Sequence, residues 1–175
     1  MTPAIPLTRL GDPAKIGLLA DTHCHGPGAN DLPEAVLDRL ATMAEVVATR
    51  GRDDPPEDPR MAASVRVIEA GGLVVGALFD LTTAGLASGD GDRLDFGDGF
   101  SPEVLQRVFG RRVDVVAFGA THRDVVAFHR GVLLVNPGSP TLPARPRAGA
   151  TGTAAVLELG GGVALVEIVT LGEPR

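Results

Sequence analysis

Two short apolar runs each end on residues of the kind that bind metals. Ile16-Gly17-Leu18-Leu19-Ala20 leads into Asp21-Thr22-His23, and Val113-Asp114-Val115-Val116-Ala117-Phe118 leads into Gly119-Ala120-Thr121-His122. Each run reads as a strand, and ligands of α/β folds bind just beyond the carboxyl ends of strands. The two stretches therefore look like opposite jaws of one site, so the fold has to bring distant strand ends together.

The remaining pattern alternates helices with strands and then continues as strands alone. Asp31 caps a helix with Pro33 in its first turn and Glu34 three residues on, and Val36, Leu37, Leu40, Met43 and Ala44 keep a helical period to about Glu45. Residues 46–49 read as a short buried strand, 51–59 as a proline-broken polar loop, and 73–79 as another buried strand after the Gly71-Gly72 turn. Residues 65–70 fit either a helix or a strand. The stretch 84–100, rich in Gly and Asp, reads as a mobile loop, and Ser101-Pro102-Glu103 opens a second helix toward Phe109. Strands follow at 124–128, 132–135, 154–159 and 163–170, the last two joined by Gly160-Gly161-Gly162 as a hairpin. No repeat or linker divides the chain, so one domain over residues 1–175 is expected.

A chain of 175 residues that is 44% hydrophobic, with mean hydropathy +0.17, can bury a real core. Its net charge of −6 and its single lysine, Lys15, argue against a nucleic-acid partner, since binding to a phosphate backbone rests on clustered Lys and Arg. The lone Cys24 excludes an internal disulfide framework and fits a reducing cytoplasm. The N-terminal pattern is not that of a secretory signal. No apolar run approaches the roughly 20 residues of a membrane span, so neither a membrane nor a nucleic acid is expected as a partner.

In order along the chain, Leu18-Leu19-Ala20-Asp21-Thr22-His23, Gly119-Ala120-Thr121-His122 and Val135-Asn136-Pro137-Gly138-Ser139-Pro140 resemble the motifs of the calcineurin-like metallophosphoesterases, in particular their small bacterial phosphodiesterase branch. The resemblance implies an α/β fold: a two-sheet β-sandwich flanked by helices, mostly parallel near the start and antiparallel toward the C-terminus. It also implies a mechanism in which two metal ions share a bridging carboxylate and hydroxide. One ion would be held by Asp21, His23 and His122, a donor set suited to Mn, Fe, Ni or Zn. The residues expected for the second ion are replaced. No Gly-Asp pair lies between His23 and Gly51, and that interval has room for one strand-helix unit fewer than the family pattern. Arg52 stands where an Asn ligand is expected, Phe79-Asp80 replaces His-Gly, and Ala120 replaces a histidine.

The resemblance thus implies a phosphodiesterase or phosphomonoesterase working slowly with one divalent metal or none. Its ligand would be small and phosphate-containing, its compartment the cytoplasm, and a homo-oligomer is compatible. His122 and Arg52 are the candidate catalytic residues, with the Arg52 guanidinium in the space of the second ion. Asp54, Asp80 and His25 are candidate substitute ligands, as is Asp53. The alternative is a catalytically inactive scaffold or phosphate-binding protein on the same fold. Asp21-Thr22-His23-Cys24-His25 also resembles the first-strand motif of TatD-type hydrolases, but their barrels typically need about 250 residues. Asp90, Asp92, Asp95 and Asp98 lack the closing glutamate of a calcium loop. Asn136 and Ser139 are expected to shape the turn behind the site, and His129 to sit at a hairpin turn.

Overall fold

The computed structural model describes residues 5–23, 33–52, 54, 58–90, 93–97 and 99–172. The strands are β1 (Leu7–Arg9), β2 (Ala14–Leu18), β3 (Val65–Ala70), β4 (Leu73–Leu78), β5 (Ser88–Asp90), β6 (Arg93–Asp95), β7 (Val115–Ala117), β8 (Asp124–His129), β9 (Val132–Pro137), β10 (Ala150–Gly160) and β11 (Val163–Gly172). Helix α1 spans Pro33–Ala41 and α2 spans Pro102–Phe109. One sheet has the order β1-β3-β4-β7-β9-β8, and the facing sheet β11-β10-β2.

Alternate residues of the central strands feed two cores. Val75, Val115 and Val135 pack toward Ala155, Leu157 and Leu159 of the second sheet. Leu78, Val116 and Leu134 pack on the other face against Leu105 and Phe109 of α2. Burial on both faces is why these strands read as continuous apolar runs rather than alternating ones. Helix α2 begins at its expected cap, where Ser101 Oγ accepts from Val104 N at 3.3 Å. It ends at Gly110, whose φ of 71° supplies the left-handed residue that closes a helix.

Residues 65–70, readable either way, form a strand because the Gly71-Gly72 turn, with φ of 57° and 79°, folds them back on β4. Residues 46–49 do not form the predicted strand. Strand β3 is already flanked by β1 and β4, and β1, which no sequence signal announced, pairs with it in parallel. The 46–49 segment instead accepts a bond at Ala48 O from Arg66 Nε at 2.8 Å, and Arg50 N just beyond it donates to Ala63 O at 3.0 Å.

The stretch expected to be a mobile loop, 84–100, contains the β5–β6 hairpin and sends Leu86 and Phe100 fully into the core. Its few apolar residues decide its course, not its Gly and Asp content. Strand β2 is not parallel to its neighbour. It pairs antiparallel with β10 in the second sheet, so the first jaw of the site rises from one sheet and the second from the other.

Helix α1 ends at Ala41, short of Glu45, and Met43 beyond it is exposed. Arg60, hydrogen-bonded to Asp58 and to Asp38 of α1, ties the helix to the 58–61 turn. The Arg60 hydrogen bond holds Asp58 below the ordinary aspartate range. Among the described residues no helix is long and apolar enough to cross a membrane. The predicted cap Asp31, together with Cys24, His25, Asp53, Asp92 and Asp98, lies outside the described residues.

Candidate metal centre

The ends of β2 and β7 do meet. Asp21, His23 and His122 each offer a ligand atom, and these atoms lie within 4.8 Å of one another in a half-buried pocket of backbone. Four non-glycine residues here have positive φ: Asp21 (48°), His23 (32°), Ala120 (68°) and His122 (56°). Left-handed backbone costs non-glycine residues of order 1–3 kcal/mol each and persists where surrounding contacts over-determine it.

Those contacts are explicit. Asp21 Oδ1 accepts from Ala120 N at 3.0 Å and Oδ2 from His122 N at 3.1 Å, so one carboxylate stitches the two loops together. Gly119 sits tightly beside it: a Cβ there would lie 3.0 Å from Ala20 Cβ, so the neighbour would have to give way.

A third loop, after β9, buttresses both. Ser139, fully buried, donates from Oγ to Asp21 O at 2.6 Å and accepts from Leu142 N at 2.9 Å. Thr141 Oγ1 donates to Thr22 O at 2.6 Å. Asn136, also fully buried, donates from Nδ2 to Gly119 O at 3.1 Å and to Thr121 Oγ1 at 3.0 Å, and accepts from Gly138 N at 2.9 Å. Asn136 and Ser139 therefore position the loops, as their turn-forming sequence implied. Sequence reasoning missed Thr141 and Leu142. The Leu142 carbonyl accepts from His122 Nδ1 at 2.9 Å, and a backbone acceptor leaves no mark in a sequence.

That carbonyl decides the chemistry of His122. A carbonyl oxygen cannot donate, so Nδ1 carries the proton and Nε2 presents its lone pair. His122 Nε2 lies 2.8 Å from His23 Nε2. Two imidazole nitrogens approach this closely only when a proton or a cation is shared between them. Adjacent ligands around one ion with bonds of about 2.1 Å stand roughly 3.0–3.4 Å apart, so the two rings need to open only slightly to share an ion. The donor set, one carboxylate and two imidazoles beside each other, fits a borderline divalent metal.

The other candidates do not join this group. Arg52 is exposed. Asp54 Oδ2 accepts from Gly51 N at 2.6 Å. Asp80 caps its own turn, accepting from Thr82 N (2.8 Å), Thr82 Oγ1 (2.7 Å) and Thr83 Oγ1 (2.7 Å). Burial pushes the Asp80 carboxyl up, but the hydrogen bonds from Thr83 and Thr82 outweigh it and hold the group below the usual aspartate range. Phe79 stands where a ligand histidine was expected. Its ring lies beside Gly51, where a Cβ would come within 3.5 Å of Cδ2, and its carbonyl accepts from Gly119 N at 2.8 Å. Among the described residues, Asp21, His23 and His122 are the only group that could hold a metal.

Fold and donor set together define an α/β sandwich with a candidate metal centre at the strand ends. The calcineurin-like phosphoesterase superfamily domain matches residues 14–162. The chain belongs to that superfamily. A probable metallophosphoesterase of Methanocaldococcus jannaschii is 30% identical over 158 residues, covering 78% of this chain and 73% of that protein. Among solved structures, an archaeal phosphodiesterase is similar with a TM-score of 0.56 at 17% identity, covering 89% of this chain and 100% of its own. Vacuolar protein sorting 29 of Cryptosporidium parvum matches with a TM-score of 0.56 at 18% identity, covering 93% and 100%. These structural likenesses show the fold.

Proposed function

We propose that this protein hydrolyses a small phosphodiester or phosphomonoester through a single divalent ion held by Asp21, His23 and His122. The observation that carries this reading is the convergence of those three ligand atoms, within 4.8 Å, on backbone held in a strained conformation by the Asp21 carboxylate. A bound ion supplies Lewis acidity toward a phosphoryl oxygen and lowers the pKa of a bound water.

The chain's own groups do the rest. Asp21 contributes negative charge while its two amide donors hold its oxygens in place. Leu142 keeps the Nδ1 proton on His122, so that Nε2 stays a ligand rather than a base. Arg52, exposed next to Gly51, supplies a guanidinium that can pair with phosphate oxygens in two bonds. With Phe79 and Ala120 in place of ligand histidines, no second metal-holding group among the described residues would clamp both the attacking and the leaving oxygen, so turnover is slow.

The test is elemental analysis of protein purified without chelators, together with hydrolysis of an aryl phosphodiester and an aryl phosphomonoester in the presence of Mn, Fe, Ni or Zn. About one equivalent of metal and measurable hydrolysis are expected, both lost in His122→Ala, with weaker phosphate inhibition in Arg52→Ala. Absence of metal and of hydrolysis with all four ions would overturn the proposal in favour of a scaffold role.

A further inference from the structure

The two sheets do not end together. Strand β8 is the last of one and β11 the last of the other, and neither has a second neighbour among the described residues. Both lie on the same flank, because one guanidinium joins them: Arg147 Nη1 donates to Thr170 Oγ1 of β11 at 2.9 Å and Nη2 to Asp124 Oδ2 of β8 at 2.6 Å. On β8, Val126 and Phe128 stand opposite Val135 and Leu133 of β9, which puts them on the face that packs against the second sheet. Val135 is buried there, yet Val126 is 49% and Phe128 73% exposed, since the second sheet stops at β11. One more strand beside β11 would cover them. Edge strands of monomers are guarded by Lys, Pro, bulges or short length, and β11 lacks these guards. It runs ten residues, Val163–Gly172, with no Lys or Pro and one charge, Glu167. The register shift in its ladder lies at its far end, beside Leu171 and Gly172. Ala164, Val166 and Ile168 face the core, while Val163 and Leu165 on the other face are 59% and 63% exposed.

We infer that this flank is a self-association surface, on which β11 pairs antiparallel with β11 of a second copy across a twofold axis, and each copy's strand covers Val126 and Phe128 of the other. A second copy is the occupant because the flank is self-complementary. It offers an unpaired apolar strand and lacks the cover that such a strand provides, and a twofold contact supplies each from the other. Charge points the same way. Two copies of a chain of net charge −6 repel except where neither carries charge, and residues 125–128 and 163–166 carry none. A register centred on Glu167 would set two carboxylates opposite each other, whereas one centred on Leu165 or Val166 does not. The four exposed side chains present on the order of 400 Å² of apolar surface, the size of patch that marks an interaction site.

The experiment is sedimentation equilibrium of the full-length protein from about 5 to about 500 µM, a range that spans the weak end of specific association, with hydrogen exchange measured at both ends. A reversible monomer–dimer equilibrium is expected, with slower exchange across residues 163–170 at the high concentration. Phe128→Asp and Leu165→Lys should each weaken it by about tenfold or more, as loss of a central interface side chain does. Both side chains are exposed, and Leu165 faces Glu158 across the ladder, so the monomer fold is retained in both, as circular dichroism will check. A wild type that stays monomeric throughout overturns the inference and leaves the flank to a different chain. A dimer that neither substitution weakens, or one with no slowing across 163–170, overturns it by placing the contact elsewhere.

Discussion

Ser139→Ala removes a hydroxyl that touches no substrate, yet it should loosen the whole metal centre. In the folded protein Ser139 is fully buried, and its Oγ is shared between the Asp21 carbonyl (2.6 Å) and the Leu142 amide (2.9 Å), with a longer contact to Thr141 N (3.3 Å). The alanine variant leaves the Asp21 carbonyl and the Leu142 amide without this partner. Each buried group left unsatisfied costs about 1–3 kcal/mol, and partial relaxation places the sum at about 2–4 kcal/mol. Urea unfolding of the chelator-treated protein measures it. Because Leu142 also orients His122, metal affinity should fall about tenfold to a hundredfold, the usual effect of losing an outer-shell partner. Thr141→Ala is the matched control: its hydroxyl makes one exposed bond, to Thr22 O at 2.6 Å, and its loss should cost only about 0.5–1.5 kcal/mol. A Ser139→Ala variant no less stable than Thr141→Ala, with unchanged metal affinity, would refute the buttress argument.

Gly76→Ala tests the packing of α2 on the large sheet. The added Cβ would lie 2.5 Å from Phe109 Cε1, so a loss of about 1–3 kcal/mol is expected, and Phe109→Leu in the same chain should recover part of it in thermal unfolding. Excess Mn should raise the melting temperature of the wild type, because a ligand at 100 times its Kd stabilises by about 2.7 kcal/mol. His122→Ala should show no such rise in differential scanning calorimetry. The Asp58 carboxyl is depressed by Arg60, so its contribution to stability is complete above the unfolded value of about 3.9 and fades as the pH falls through the lower folded value. Asp58→Asn should flatten the acid limb of stability measured between pH 2 and 5; an unchanged limb would show that the Arg60 clamp contributes nothing.

Strands β4 and β7, the second of which leads into the His122 jaw, were legible because they are buried on both faces. Residues 73–79 are apolar throughout and 113–118 are apolar but for Asp114. Helix α2 was legible from Ser101, Pro102 and Gly110, whose capping preferences are local. Less was readable where a segment's state depends on who occupies the neighbouring edge. Residues 46–49 have strand composition yet join no sheet, while Leu7–Arg9 becomes a strand because it pairs with β3. The 84–100 stretch misled because a few apolar residues, Leu86 and Phe100 among them, outweigh many glycines once a core exists to receive them.

By itself the order of residues determined the candidate ligands, Asp21, His23 and His122, and the residues Arg52, Phe79 and Ala120 that stand around them, since both are matters of residue type and position in a motif. Only the tertiary structure decided that the two jaws rise from different sheets, that Asp21 joins them through the amides of Ala120 and His122, and that a carbonyl of Leu142 sets which nitrogen of His122 is available. The physical reason is that these are hydrogen bonds to backbone atoms. Every residue carries the same amide and carbonyl, so their partners are chosen by where the chain runs and not by which side chains it bears.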